Sequence, residues 1–564
     1  MYNVLHSIGE NSLGGGISLY DFNQDGLDDL TLATGKGELI GFYVNRGDYF
    51  ERLEPLVNNR EDVKQISWVD FDNDHDPDLY ISAYGGVSKL YLNVGKLEMV
   101  EYTEESGLPL IEHKGFGAIW GDYNRDGWLD LYYASKGTGE EKSYNRLFKN
   151  NANGTFTEVT ETSGASDEGK FPFCASFIDY NNDMWPDIYV ANDKLTTNTL
   201  LKNNKGNFED VSNLTGADVK MNAMCVTPGD YNQDGWIDIY ITNTPVGSYL
   251  LQNSGIKNEN GYYQFNNVAE LHNVHFPGGN GWGSNFLDAD NDGDQDLYVS
   301  SSISQPKELS SAFYENIGGS TFQSPEIAGF LKDTAASYTN AIGDLNNDGL
   351  VDIVVNNNLP ARFHIWENKT INDHHWIKIH LKGIMSNTEG VGAKIEIYTD
   401  QNYQMQFTTC GQGYLAQNSS YIHFGTGSST TIDSLTVTWP TGHIDQLYNI
   451  DVDQLLQIHE GSSKDGIISP APGIKTKPWS PITSVDIHRN QKSEIFPNPG
   501  TDRLIIISEL FVKQAVLIDL LGKKRVVDIN SKSATIDTNG LCAGVYYIKL
   551  HFNHTTETLK WVKY

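Results

Sequence analysis

Aspartates recur in this chain at a spacing that suits a hard cation. Asp21-Phe-Asn23-Gln-Asp25-Gly26-Leu-Asp-Asp29 is a nine-residue acidic loop, and further copies begin at Asp70, Asp122, Asp179, Asp230, Asp288 and Asp344. Positions 1, 3, 5 and 9 are Asp or Asn in all seven copies, and position 6 is Gly in five of them. Oxygen-bearing side chains on alternate residues of a sharply turning loop can converge on one centre, as they do around calcium. The copies lie 49 to 58 residues apart, so each belongs to a structural unit and not to a low-complexity tract.

Short apolar runs flank each loop and must position it. Ala118-Ile119-Trp120 precedes Asp122, Leu129 to Tyr133 follows it, and Ile237 to Ile241 follows the fifth loop. Such β-branched and aromatic runs bounded by turn residues read as strands. A third run ends in Asn45, Asn93, Asn150, Asn203, Asn253, Asn316 or Asn368, each 23 to 28 residues after its loop's first Asp. Asn and the nearby Gly tolerate positive φ, which predicts a hairpin turn there. A fourth run follows, as in Phe156 to Val159 and Phe208 to Val211, closing on Gly164 and Gly216. Four antiparallel strands at this period predict a propeller blade, and seven loops predict seven blades. No fourth run follows Phe363 to Trp366, whereas the chain opens with Met1-Tyr2-Asn3-Val4 and closes that run on Gly9. Residues 1–6 are therefore expected to form the outer strand of the last blade, which removes two open sheet edges.

At 564 residues the chain is too long for one core and predicts two or three domains. Its 54 glycines and the lack of sustained helical periodicity fit an all-β chain. Net charge is −33, yet residues 491–564 carry ten Lys and Arg against seven Asp and Glu, so the acidity lies upstream. The loops hold 23 carboxylates at positions 1, 3, 5 and 9; seven Ca2+ would cancel 14 charges, and the unloaded ring should be strained by self-repulsion. Such acidity argues against nucleic acid and anionic membrane as partners. Four cysteines are too few and too scattered for a disulfide framework. Cys174 and Cys225 stand five residues before a loop Asp, where other copies have Gly16, Gly117 and Gly283. They read as small buried thiols at a crowded position, with a disulfide between adjacent blades as the alternative. No run approaches the ~20 apolar residues of a membrane span. No signal peptide is visible, so the start is read as trimmed or misplaced.

Three resemblances follow. Residues 1–370, through their seven loops, resemble the FG-GAP/VCBS repeats of integrin-α-like propellers. The resemblance implies calcium ligands at positions 1, 3, 5 and 9, together with the position-7 carbonyl. Carried onto this sequence they are Asp21, Asn23, Asp25 and Asp29; Asp70, Asp72, Asp74 and Asp78; Asp122, Asn124, Asp126 and Asp130; and Asp179, Asn181, Asp183 and Asp187. The last three sets are Asp230, Asn232, Asp234 and Asp238; Asp288, Asp290, Asp292 and Asp296; and Asp344, Asn346, Asp348 and Asp352. His75 and Met184 replace the position-6 Gly, which costs strain if φ is positive and marks those two sites as the weakest. Residues 371–462 look like an ASPIC/UnbV domain of cartilage acidic protein-like chains, on His375-Trp376, Leu381-Lys-Gly383, Ser386-Asn387, Gly390-Val-Gly392-Ala393, Gly413-Tyr414-Leu415, His423-Phe-Gly425 and Trp439-Pro440. Pro470, Pro472, Pro478 and Pro481 mark residues 463–490 as an extended linker. Residues 491–564 resemble a type IX secretion C-terminal sorting domain, on Phe496-Pro-Asn-Pro499, Asp502, Asp519-Leu-Leu-Gly522-Lys523, Leu541, Gly544-Val-Tyr-Tyr547 and Lys560. That implies export across the outer membrane of a Gram-negative bacterium, removal of the sorting domain, and surface attachment or release. The expected architecture is all-β: a seven-bladed β-propeller, then a small β domain, then a C-terminal β-sandwich.

Calcium, up to seven ions, is expected to be structural, at the ~10⁻⁴–10⁻³ M affinity of extracellular modules. Carboxylates engaged as ligands are unavailable for acid–base catalysis, and no nucleophile elbow, phosphate loop or zinc-protease motif occurs. His364, His374, His375 and His380 lack the spacing of a transition-metal site. Trp128, Trp185 and Trp236, at loop position 7, could stack on sugars, but packing over the loop between blades is the expectation. The functional reading is a secreted binding module for an extracellular polysaccharide or a cell-surface protein. A polysaccharide lyase or hydrolase, and a cell-adhesion scaffold, are the alternatives. The type IX machinery is the other expected partner.

Overall fold

The computed structural model describes residues 2–4, 13–136, 145–302, 311–318, 321–325, 330, 333, 335–358, 363–400, 402–463, 477–478, 493–496, 503–519, 523–538, 541, 544–551 and 556–563. Among these, each of the seven loops joins the first strand of an antiparallel group of four strands to the second. The groups of the second and third loops also pair with each other, through His113–Lys114 and Tyr84–Gly86, into one eight-stranded sheet, and that of the first loop takes Ala416–Gln417 as a fifth strand. The fifth group shows the pattern: Val226–Gly229, Asp238–Ile241, Tyr249–Lys257 and Tyr263–Asn267 pair in sequence order. In the seventh group, Ser337–Gly343, Asp352–Asn357 and Phe363–Trp366 are followed outward by the chain's own start. Tyr2 pairs with Ile365, Asn3 with His364 and Val4 with Phe363. Met1, Leu5 and His6, also assigned to that strand from sequence, lie outside the described residues.

Two details of the blade differ from the sequence expectation. The glycines read as closing the outer strands cap single helical turns: Thr160–Ser163 ends at Gly164 and Ser212–Thr215 at Gly216, with φ of 76° and 74°. None of the seven third-strand asparagines has positive φ; the following glycines do, as at Gly95 (103°) and Gly255 (62°). The asparagines are buried or half-buried for another reason, given below.

Residues 375–463, with the short strand Lys477–Pro478, build two four-stranded sheets around one apolar core that includes Ile377, Ile379, Ile395, Ile397, Phe424, Leu435, Val437 and Trp439. His375–Lys382 and Gln454–His459 run parallel within the first sheet. This small domain and the propeller belong to one compact unit, Met1–Pro481, while Ile482–Tyr564 forms a second. The described strands of the second unit make one sheet in which the long Arg503–Asp519 strand pairs with three others. Most of the linker read from sequence, and the Pro497–Asp502 part of the sorting motif, lie outside the described residues.

What joins the propeller to the small domain is the segment that carries Gly413-Tyr414-Leu415. Residues 410–419 leave the small domain and bond to the innermost strands of the blades. The Cys410 carbonyl accepts Trp120 N–H at 2.9 Å, and Gly413 accepts the Cys174 thiol at 2.8 Å. Ala416 and Gln417 pair in parallel with Ile17 and Ser18. The Gln417 side chain bonds both the N–H and the carbonyl of Trp68, at 2.8 and 2.7 Å. Asn418 bridges Asn285 and Ile342 N–H, at 2.7 and 3.1 Å, and Cys225 packs in one apolar cluster with Tyr414 and Leu415. A segment that bonds to the first strands of six blades and packs on Cys225, just before that of the fifth, lies on the propeller axis. Cys174 and Cys225 are free, buried thiols beside it, which fits the crowded-position reading. At the equivalent Gly16 a side chain would run into Lys64 O at 2.3 Å.

Candidate metal centre

Each acidic loop is wound by its own carboxylates. In six loops the position-1 side chain accepts the backbone N–H groups of positions 5 and 6: Asp21 takes Asp25 N at 2.9 Å and Gly26 N at 2.8 Å, and Asp179 takes Asp183 N and Met184 N at 3.0 and 2.8 Å. In the sixth, Asp288 takes only Gly293 N, and Asp292 N turns to Asp290. Position 4 is left-handed in all seven loops (φ 54° to 61°), and so is position 6. The condition attached to His75 and Met184 is therefore met, with φ of 76° and 63°. Both are strained relative to Gly.

The position-9 Asp is the anchor. One of its oxygens accepts the N–H of the third-strand asparagine in every blade, at 2.7 to 2.8 Å, from Asn45 on Asp29 to Asn368 on Asp352. That asparagine's amide then donates to the position-2 carbonyl of the preceding blade. The bonds run Asn45 to Leu345, Asn150 to Phe71, Asn203 to Tyr123, Asn253 to Tyr180, Asn316 to Tyr231 and Asn368 to Ala289, at 2.6 to 3.1 Å. Its oxygen accepts an N–H from the turn, as Gly255 N to Asn253 at 3.2 Å. The asparagine is thus an inter-blade staple. Position 4 is a second one: Gln24, Asn73, Asn182, Gln233, Asn291 and Asn347 donate to the position-6 carbonyl of the next loop, at 2.5 to 3.2 Å. Gln, Asn or Arg at position 4 of every copy is a signal the sequence carried and the ligand-centred reading passed over.

Several oxygens at the expected ligand positions are buried with no hydrogen-bond partner: Asn23 Oδ1, Asp72 Oδ1, Asn232 Oδ1, Asp238 Oδ2 and Asp288 Oδ1. A buried acceptor without a donor costs free energy; three of these stand at position 3, one at position 9 and one at position 1, all positions expected to face a cation. In the second and sixth loops, oxygens of Asp70, Asp72 and Asp78, and of Asp288, Asp290 and Asp292, lie within 4.8 Å of one another. The second loop thus gathers its carboxylates despite His75. Burial, helped by neighbouring loop carboxylates, pushes Asp29 up to about 9 and Asp352 to about 7, and holds Asp78, Asp130, Asp187, Asp238 and Asp296 well above the carboxylate range. Position 1 shifts likewise, to about 6 at Asp21 and Asp179 and about 7 at Asp122 and Asp230. Hard oxygen donors, orphaned and short of counter-charge, fit Ca2+.

The small domain covers this loop-bearing face. Tyr421 O–H donates to Asp21 at 2.9 Å, Thr388 O–H to Asp70, and His423 Nε2 meets Asn291 Oδ1 at 2.7 Å. Arg125 reaches Pro440 O at 2.5 Å. The four histidines near the junction do not converge: His374 meets Asp290 O, His375 meets Asp453, and His380 packs on Tyr421. Trp185 packs under Arg125 of the neighbouring loop at 5.2 Å, between blades as expected, whereas Trp236 lies on Tyr263 of its own blade at 4.5 Å.

The FG-GAP-like repeat model matches residues 21–81, 70–133, 122–190, 179–241 and 288–355, so all seven loops fall inside matched stretches. The chain belongs to the FG-GAP-like repeat family. ASPIC and UnbV matches residues 383–465, and a secretion system C-terminal sorting domain matches residues 494–564. Among curated relatives, cartilage acidic protein 1 of Xenopus tropicalis is 24% identical over 283 residues, 47% of this chain and 41% of that protein. The Homo sapiens protein is 22% identical over 303 residues, 51% of this chain and 44% of its own length. This chain therefore spans less than half of those relatives. Similar solved structures include the Swd1 β-propeller domain of Myceliophteria thermophila (10% identity, TM-score 0.37, 65% of this chain and 99% of that one). The Dos1 propeller is another (9%, 0.37, 72% and 94%). This FG-GAP protein carries a type IX sorting domain, which directs it to the cell surface or the extracellular space. Among the described residues no helix is long and apolar enough to cross a membrane.

Proposed function

We propose that this FG-GAP protein is an extracellular binding module whose seven loops each hold one calcium ion. The observation that carries the reading is the set of orphaned oxygens at positions 1, 3 and 9. In each blade position 1 follows the first strand and position 9 opens the second, as Asp230 after Val226–Gly229 and Asp238 in Asp238–Ile241. An ion between them clamps two strands, so its role is structural. The small domain lies over the loops, so a ligand meets the propeller on the opposite face, where half-buried Tyr84 and Tyr338 stand beside Phe173 and Trp282, which are buried against Tyr414. The partner we favour is an extracellular polysaccharide, with a cell-surface protein next. The test is the calcium-loaded chain against soluble polysaccharides, scored for gel retardation and for new unsaturated or reducing ends. Retardation without new ends supports the module. New ends make it an enzyme, and neither outcome moves the search to surface proteins.

A further inference from the structure

Among the described residues, a deeply buried lysine meets a loop carboxylate in the seventh loop. Lys378 Nζ lies 3.1 Å from Asp344 Oδ2 and 2.6 Å from Asn347 Oδ1, with side chains only 4% and 1% exposed at Lys378 and Asp344. Lys149 also pairs with Asp126 of the third loop at 3.2 Å, but those side chains are 39% and 34% exposed, so water and salt screen that contact. A buried charge is screened far less.

Close to Lys378 stands Asp28, at position 8 of the first loop, where the other copies have Pro77, Leu129, Pro186, Ile237, Gln295 and Val351. Asp28 is 1% exposed, its Oδ2 faces Gly343, and Ser419 is the side chain that supports its carboxyl. The charge of Lys378 acts on it as well. A buried carboxylate so poorly supplied with donors is costly unless a cation balances it. Lys378, Asp344 and Asp28 lie together at the seam between the seventh and first blades, under the first strand of the small domain, His375–Lys382.

We propose that Lys378 is a resident cation of the seventh loop, which balances Asp344 when the loop is empty, opposes calcium there, and turns to Asp28 when calcium enters. The proposal rests on the calcium reading above. It assigns the weakest calcium site to the seventh loop and not to the His75 and Met184 loops. The backbone already holds positive φ at those two residues, so their strain is charged to folding and not to ion binding. It also means that the seam where the ring closes stays neutralised when calcium is scarce.

The test is calorimetric titration of the full chain, stripped of metal, with CaCl2. The wild type should show six sites of comparable affinity and one at least tenfold weaker. Lys378→Met should raise the weak site by at least tenfold, and Asp28→Asn should weaken it further, because the displaced lysine loses its alternative partner. Asp344→Asn, which leaves Lys378 in place, should abolish the weak site alone and guards against a Lys378→Met chain that fails to fold. Loss of a tight site in Asp344→Asn, or a folded Lys378→Met chain with an unchanged weak site, overturns the proposal. Seven equal sites would sink the Lys378 inference and leave the calcium reading standing, whereas a wild type that binds no calcium would sink both.

Discussion

Chelation should lower the melting temperature of the first unit by about 9 °C, by an amount that grows with pH. An ion that binds only the folded ring stabilises it by RT ln(1 + [Ca2+]/Kd). With a Kd of about 10⁻⁴ M and about 1 mM free calcium, that is roughly 1.4 kcal/mol for each of the six ordinary loops, at most about 0.4 kcal/mol for the seventh, and roughly 9 kcal/mol for the ring. Unfolding entropy of about 2.1 cal/mol/K per residue, over the Met1–Pro481 unit, makes 1 kcal/mol worth about 1 °C. The pH term follows from the raised carboxyls. A group whose folded pKa lies above its unfolded value stabilises the fold below the unfolded value and loses that contribution as pH rises through the folded one. For the chelated ring that window runs from about 6 at Asp21 and Asp179, through about 7 at Asp122, Asp230 and Asp352, to about 9 at Asp29. The chelated protein should therefore lose stability from pH 5 to 9. The calcium-loaded protein, whose ligands are ionised and paired, should not. Differential scanning calorimetry in CaCl2 and in EDTA at pH 5, 7 and 9 reads both terms. Superimposed curves at pH 7 would refute structural calcium, and a difference that does not widen with pH would refute the carboxylate account.

Three substitutions probe the frame around the loops. Asn253→Ala removes the amide bond to Tyr180 O and strands a buried carbonyl; a loss of about 1–3 kcal/mol in urea unfolding is expected, and no loss would remove the staple from the argument. His75→Gly relieves a left-handed backbone and should gain about 0.5–1 kcal/mol by the same measurement, whereas a loss would mean the imidazole has a role that outweighs its strain. Tyr414→Ala empties the axis between Phe173 and Trp282 and should cost about 3–5 kcal/mol; a cost below about 1 kcal/mol would show that the ring does not depend on the axial segment.

The acidic loops were legible because their chemistry is local. Positions 1, 3, 5 and 9 lie within one turn, so residue type and spacing alone announce an oxygen-lined centre, and the strands beside them follow from short apolar runs. The third-strand asparagines were visible as a repeat yet misassigned, because a turn residue and a buried staple look identical in one dimension. What separates them is the carbonyl of the preceding blade, some 70 to 85 residues earlier in chain order for blades three to seven.

The sequence by itself determined the repeat, the order of strands within each blade, the oxygen character of the loops and the export signal in the tail. Each depends on residues near one another in the chain, where covalent spacing sets geometry. Only the tertiary structure decided that residues 410–419 occupy the propeller axis, that the small domain lies on the loop face, and that Lys378 stands against Asp344. Those contacts join residues 34 to 401 positions apart. Segments that distant meet only once the ring has closed and buried charge and polar groups must find partners across it.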